Sequence, residues 1–384
     1  LDEDHQLGKV HGDLHGVPVG IKDIFDTGDM PTTDGTEAHK ENLSWNDCTV
    51  VSKLKQAGAI IMGKTVTAEL AYYSPGKTKN PHDPTRTPGG SSSGSAAAVA
   101  SHMVPLAIGS QTNGSVIRPA SFCGVVGYKP TKGLISRHLV LQVSRALDQI
   151  GVFSNTLEDA ALICEQLFGY DKQDPDTSLS AKPKLLVASK QKPPMEPLFA
   201  YIKLPFMNEL DDNTKEVFDE LKDKLKGSVD EIELPEGFND IPSWHKIIME
   251  SDMARSFSEE YKKSKDKLSD TIIETIERGQ KYTAVEYNDA LSKIDVANSY
   301  FNQFFYDYDA ILTPSAVGEA PKGLTSTGNP IFSTIWTYCG MPCISLPLLN
   351  GRNGLPIGVQ LVSSLFDDER LFRNASWLTR KIKK

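Results

Sequence analysis

No run of apolar residues is long enough to span a bilayer, so no membrane association is expected. Cysteine is scarce: Cys48, Cys123, Cys164, Cys339 and Cys343 are an odd, scattered set of five with no CxxC pair. That excludes a disulfide framework or a structural zinc site and points to reduced, buried thiols in a cytoplasmic protein. Excess positive charge is missing too. With 41 Lys+Arg against 50 Asp+Glu the net charge is −9, which argues against a broad nucleic-acid surface. Internal repeats, low-complexity tails and a legible signal peptide are lacking. The chain opens on Leu1-Asp2 without a Met, which leaves a preceding targeting segment open. No metal-ligand spacing occurs, so neither metal nor cofactor is expected.

What remains is ordinary globular composition, 39% hydrophobic and 24% charged over 384 residues. The length is enough for one large core. Composition divides the chain into Gly/Ser/Ala/Val-rich residues 1–170, Lys/Asp/Glu-rich residues 171–305, and residues 306–384, where Gly, Pro and short apolar runs return. We read a single domain over 1–384, with 1–170 and 306–384 as its core and 171–305 as a more helical, insertion-like part.

Periodicity predicts alternating elements. A helix capped by Asn46 or Asp47 carries Val50, Val51 and Leu54 on one face and stops at Gly58. Short buried strands follow at 59–62 and 104–108, with a small-residue helix at 96–100 between them. Strands are predicted at 201–204 and 229–234 around a helix over 213–226. Residues 244–306 read as mostly helical with a solvated polar face and no assigned function. Strands at 310–312, 343–348 and 357–362 and a helix over 366–381 close the chain. The expected class is α/β, a layered α/β/α arrangement with one large mixed central sheet covered by helices.

Gly58-Ala-Ile-Ile-Met-Gly63-Lys64-Thr65 matches the phosphate-loop pattern GxxxxGK[ST]. Its context is wrong: a helix precedes Gly58, and the four intervening residues are apolar. Gly58 reads instead as a helix cap and Gly63 as a strand end.

Three segments carry chemistry. Gly89-Gly-Ser91-Ser-Ser-Gly-Ser95 runs straight into the small-residue helix, a poor fit to a flexible linker. It suits either an anion held on free N–H groups or hydroxyls fixed in a site. Gly109-Ser-Gln-Thr112-Asn113-Gly114-Ser115-Val-Ile-Arg-Pro119 follows a strand and enters a helix, so consecutive N–H groups from Thr112 to Ser115 can converge on one oxygen. In Gly16-Val-Pro-Val-Gly-Ile-Lys22-Asp23, Val17, Val19 and Ile21 share one strand face and Lys22 takes the other. Taken alone, Lys22 reads as a surface lysine at a strand end, and each of the other two segments as a structural turn.

Together, GVPVGIKD, GGSSSGS and QTNGSVIRPASFCGVVGYKPT closely resemble the amidase signature family, in the family's order. The likeness extends through 146–151, 157–161, 309–314 and 354–362 and covers most of the chain outside the helical middle. The resemblance implies amide hydrolysis by a Ser–Ser–Lys triad. By position, Ser115 matches the nucleophile, Ser91 the bridging serine after a cis peptide bond at Gly90–Ser91, and Lys22 the general base. The backbone N–H groups of Thr112, Asn113, Gly114 and Ser115 match the oxyanion hole. Lysine is a base only when neutral, which burial without a carboxylate partner favours. Many members carry Gly where this chain has Asn113. Asn tolerates positive φ, so the hole is expected to survive with a narrowed entrance. His82 and His102 lack nucleophile–base spacing and read as structural.

The resemblance implies a small-molecule amide as substrate. Tyr72, Tyr73, Thr334, Trp336 and Tyr338 are candidate pocket walls, and an aromatic pocket would favour aryl or medium-length acyl amides over glutamine. Family members are often dimers, which makes a homodimer the assembly to test. Two rival readings share the scaffold. One is the glutaminase A subunit of a glutamyl-tRNA amidotransferase, though residues 309–349 look more like general amidases. The other is a non-catalytic binding protein, disfavoured by the intact triad.

Overall fold

The structure, a computed structural model, describes residues 2–383. Ten strands form one sheet: β1 (Pro18–Lys22), β2 (Ile60–Thr65), β3 (Leu106–Gln111), β4 (Val126–Lys129), β5 (Gln149–Ser154), β6 (Phe199–Lys203), β7 (Val229–Glu233), β8 (Ala310–Pro314), β9 (Cys343–Asn350) and β10 (Pro356–Val362). Their order is β2-β1-β3-β5-β4-β9-β10-β8-β6-β7. Both wings are parallel, β2-β1-β3 and β8-β6-β7, while the strands between pair antiparallel. Helices cover the sheet, which makes the protein a layered α/β fold with a mixed central sheet.

The middle of the chain is built into that sheet. β6 and β7 continue it beyond β8, and the helices Ile241–Ser256, Ser258–Lys263, Asp270–Gly279 and Ala284–Phe304 follow.

The parallel wing positions the chemistry. β1 and β3 run side by side, so their C-terminal ends emerge together, the usual place for a site in an α/β sheet. The Ser93–Ala100 helix packs on this wing, and its small side chains allow close approach. Gly94 shows how close: a Cβ there would sit 2.3 Å from the Val66 amide nitrogen.

Three expectations need correction. The 59–62 strand is observed as β2, the edge of the sheet; Ile60 and Met62 are 43% and 64% exposed, so it is not a buried strand. The first long helix, Thr49–Gln56, has Cys48 at its N-cap position without a side-chain capping bond, while Asp47 turns away to accept the Gly28 N–H and pair with Lys55. The 104–108 strand is shifted to Leu106–Gln111, which brings its end directly to the Thr112–Ser115 turn. The GxxxxGKT segment forms no phosphate loop. Gly58 caps the helix with φ +85°, Gly63 sits at a register shift in β2, and Lys64 pairs with Asp23.

A charged clasp ties the helical middle to the N-terminal part. His39 Nδ1 lies 2.8 Å from Asp34 Oδ2 and its Nε2 3.1 Å from Glu260 Oε1. These hydrogen bonds, first to Asp34 and then to Glu260, raise the imidazole from its ordinary 6.5 to about 9. A raised folded-state value stabilises fully below the unfolded value, and the contribution is lost as pH rises through the folded one. Wild type is therefore expected to lose thermal stability between about pH 6.5 and 9 more steeply than His39→Gln, as read by Tm against pH.

Candidate active site

Lys22 ends β1 and is completely buried. Strand alternation turns Asp23 the other way, where Thr33 and Lys64 hold it. Lys22 Nζ is 2.7 Å from Ser91 Oγ and 2.9 Å from Ser110 Oγ. Among the described residues no carboxylate lies within ion-pair distance of it. Burial lowers its pKa from 10.5 to about 7, opposed only by the more distant charge of Asp148. A neutral amine is thus available near neutral pH.

Ser91 follows a cis Gly90–Ser91 peptide bond, and the loop around it is stitched to β3. Ser92 Oγ donates to the Ser110 carbonyl and accepts from the Ser110 N–H, and Ser95 Oγ donates to the Ile108 carbonyl. Arg118 holds the same loop from the other side. Its guanidinium donates to the Gly90 and Thr327 carbonyls at 2.8 and 2.7 Å, is completely buried, and among the described residues has no carboxylate partner. Burial pulls it down to about 10.

Beyond β3 the chain turns sharply through Thr112 to Ser115. Among the described residues, the backbone N–H groups of Thr112, Asn113, Gly114 and Ser115 donate to no protein group. The next two, on Val116 and Ile117, are taken by Gln111 Oε1. Successive unpaired N–H groups on one turn have the chemistry to receive a negatively charged oxygen. Ser115 sits at its end, before the Ile117–Cys123 helix, and no hydrogen bond among the described residues joins its hydroxyl to Ser91.

The φ of Asn113 is not positive, so the position makes no demand for left-handed backbone. The residue is held by its side chain. Nδ2 donates to Tyr73 Oη at 3.0 Å, Oδ1 accepts from Thr334 Oγ1 at 2.8 Å, and its carbonyl accepts from Thr337 Oγ1. Thr112 is anchored by Asp148, which accepts from its hydroxyl at 2.6 Å and from the Val143 and Ser144 N–H groups.

A cleft of about 560 Å³ opens against this turn. Tyr72, Tyr73, Asn113 and Thr334 line it, together with Thr327 and Pro330, which touch Gly90 and Gly114. Trp336 and Tyr338 do not. On the Ile331–Tyr338 helix, residues 331 and 334 face the cleft. Trp336 packs against Phe301, and Tyr338 donates its hydroxyl to the Ala290 carbonyl, so both belong to the core. The cleft is not an aromatic box. Its far wall is polar and comes from the helices Ile241–Ser256 and Asp270–Gly279, with His245, Glu250, Glu274 and Arg278 facing inward. Arg278 donates to Glu250 Oε1 from Nε and NH2, while Tyr282 donates to Oε2. A second cavity of about 380 Å³ lies on the Ser110, Thr112 and Asp148 side of the turn. The four polar wall residues and Ser110 are not legible in the sequence. The former sit in a stretch whose charge pattern resembles a solvated face, and nothing in the motif sets Ser110 apart from its neighbours. His82 Nε2 donates to the Cys123 carbonyl at 2.9 Å, and His102 occupies a turn with φ 55°.

Replacing Arg118 by Lys removes the fork that reaches the Gly90 and Thr327 carbonyls together, leaving buried acceptors unpaired. Chemical denaturation is expected to show a loss of about 2 kcal/mol.

Comparison with known proteins agrees with this architecture. The Amidase family model matches residues 1–372. The A subunit of the glutamyl-tRNA(Gln) amidotransferase of Gloeothece citriformis is 36% identical, over 95% of this chain and 83% of its own. The crystal structure of the corresponding Thermotoga maritima protein superposes with a TM-score of 0.83 at 33% identity, covering 95% of this chain and 83% of that one. A chain from a vestigial protein complex tied to the origins of an s-triazine catabolic enzyme reaches a TM-score of 0.92 at 26% identity, covering 99% and 87%. A match along nearly the whole chain, on a fold shared with solved relatives, shows that this protein belongs to the amidase family and is an amide-cleaving hydrolase.

Proposed function

We propose that the protein hydrolyses a carboxylic amide to an acid plus ammonia or amine through an acyl-enzyme on Ser115. The observation that carries this reading is the 2.7 Å contact between Ser91 Oγ and the buried, carboxylate-free amine of Lys22. Neutral Lys22 accepts the Ser91 proton as Ser91 accepts that of Ser115. The freed Ser115 oxygen attacks the amide carbon. Negative charge gathers on the carbonyl oxygen, within reach of the free N–H groups of residues 112–115. As the tetrahedral species collapses, the proton returns through Ser91 to the departing nitrogen, the C–N bond breaks and an ester to Ser115 remains. Water, losing its proton along the same relay, cleaves that ester and restores Ser115. Closing the relay requires Ser115 and Ser91 to come into hydrogen-bond contact when substrate binds, as catalytic contacts often do. The buried, unpaired cysteines support a reducing, cytoplasmic setting.

A second reading, the glutaminase A subunit of a glutamyl-tRNA amidotransferase, draws support from relatives of that name that are 36% and 33% identical. In that case glutamine is the amide, and ammonia passes to a partner protein. Release of ammonia from glutamine only with a co-purifying partner would favour it.

The test is intact-protein mass after exposure to an alkyl fluorophosphonate. One adduct is expected on wild type and none on Ser115→Ala, while Lys22→Met slows labelling by about 10³-fold or more. Because the base must be neutral, the wild-type labelling rate should climb as pH rises through about 7 and level off above it. Labelling of Ser115→Ala at the wild-type rate would refute the assignment.

A further inference from the structure

His245 lies outside every sequence motif, on the Ile241–Ser256 helix of the charged middle stretch, yet it reaches the turn at the centre of the site. Its ring is buried, borders the large cleft, and places Nε2 2.9 Å from the Thr112 carbonyl oxygen. A carbonyl can only accept, so Nε2 carries the proton and donates. Burial pushes the imidazole down to about 4, which keeps it neutral at ordinary pH.

The contact bears on the neighbouring amide. The Thr112–Asn113 peptide is trans, so its C=O and N–H point in opposite directions from one rigid plane. Holding the Thr112 oxygen from the helical side fixes the direction of the Asn113 N–H. The next peptide is held alike, its Asn113 carbonyl bonded by Thr337 Oγ1. Asp148 anchors the Thr112 side chain but cannot by itself set the tilt of the 112–113 plane.

We propose that His245 is a positioning residue: by donating to the Thr112 carbonyl it aims the Asn113 N–H at the oxygen that becomes negative during acyl transfer. The proposal rests on the Ser115 reading above. It makes the helical middle part of the catalytic apparatus, because a side chain from that stretch sets the geometry of a turn encoded over a hundred residues earlier.

The test measures inactivation of the full chain by an alkyl fluorophosphonate, with kinact and KI determined separately. His245→Phe keeps a ring and loses the donor. It is expected to lower kinact about 10- to 100-fold, with KI changed by less than about threefold, because the aimed N–H matters to the transition state more than to the bound ground state. His245→Gln restores an N–H donor and should recover most of that loss. His245→Asn, too short to reach the carbonyl, should repeat the Phe result and serves if the Phe variant does not fold. Unchanged kinact in folded Phe or Asn variants, a rise in KI alone, or a Gln variant no better than Phe would overturn the proposal. A wild type that takes no adduct on Ser115 would sink the serine reading and this proposal with it. A labelled wild type with unaffected His245 variants would sink only the role of His245.

Discussion

Everything in this site depends on a lysine that is buried without a counter-ion. Desolvation works against an ammonium, and the usual remedy, a carboxylate partner, would hold the proton on and remove the base that the proposed mechanism needs. The protein surrounds Lys22 with hydroxyls instead. Ser91 and Ser110 satisfy the nitrogen by hydrogen bonding in either protonation state while adding no charge. The strand pairing makes this possible. Because β1 and β3 are parallel neighbours, the lysine at the end of one meets the serine near the end of the other. Asp23, next in the chain, is drawn to the opposite face by Lys64, which keeps its charge from the site.

Around that amine the hydrogen bonds serve rigidity. Gln111 takes the N–H groups of Val116 and Ile117, Asp148 takes the Thr112 hydroxyl, and Thr337 and His245 take successive carbonyls. What is left over is the row of N–H groups from Thr112 to Ser115. An oxyanion hole requires donors fixed before the charge appears, since donors that must reorganise stabilise it less. Arg118 does the equivalent for the Gly90–Ser91 loop.

The α/β class and the three motif segments were legible because each depends on local pattern: a Gly/Ser loop entering a helix, a strand ending in Lys-Asp, a turn ending in Gly-Ser. The rest depends on tertiary placement. Periodicity marked 59–62 as a strand but could not distinguish an edge from a centre, so the exposure of Ile60 and Met62 went unseen. The charge of residues 244–306 looked like a solvated face, yet packing turns one stripe of it, including His245, Glu250 and Arg278, onto the cleft. Trp336 and Tyr338 were candidate pocket walls because the family resemblance implies a pocket built from this region, whereas their positions on the helix put them in the core. That the Asn113 side chain bonds Tyr73 and Thr334 depends on the packing of segments distant in sequence, which local pattern does not carry.

That Lys22 is neutral near physiological pH, because it is buried among hydroxyls, is the claim on which the chemistry turns. The most direct measurement is an NMR titration of the lysine Cε and Nζ resonances in the full chain, assigned by comparison with Lys22→Met. A Lys22 midpoint of about 7 is expected. A midpoint at the ordinary value of about 10.4 would show a charged lysine throughout and contradict it.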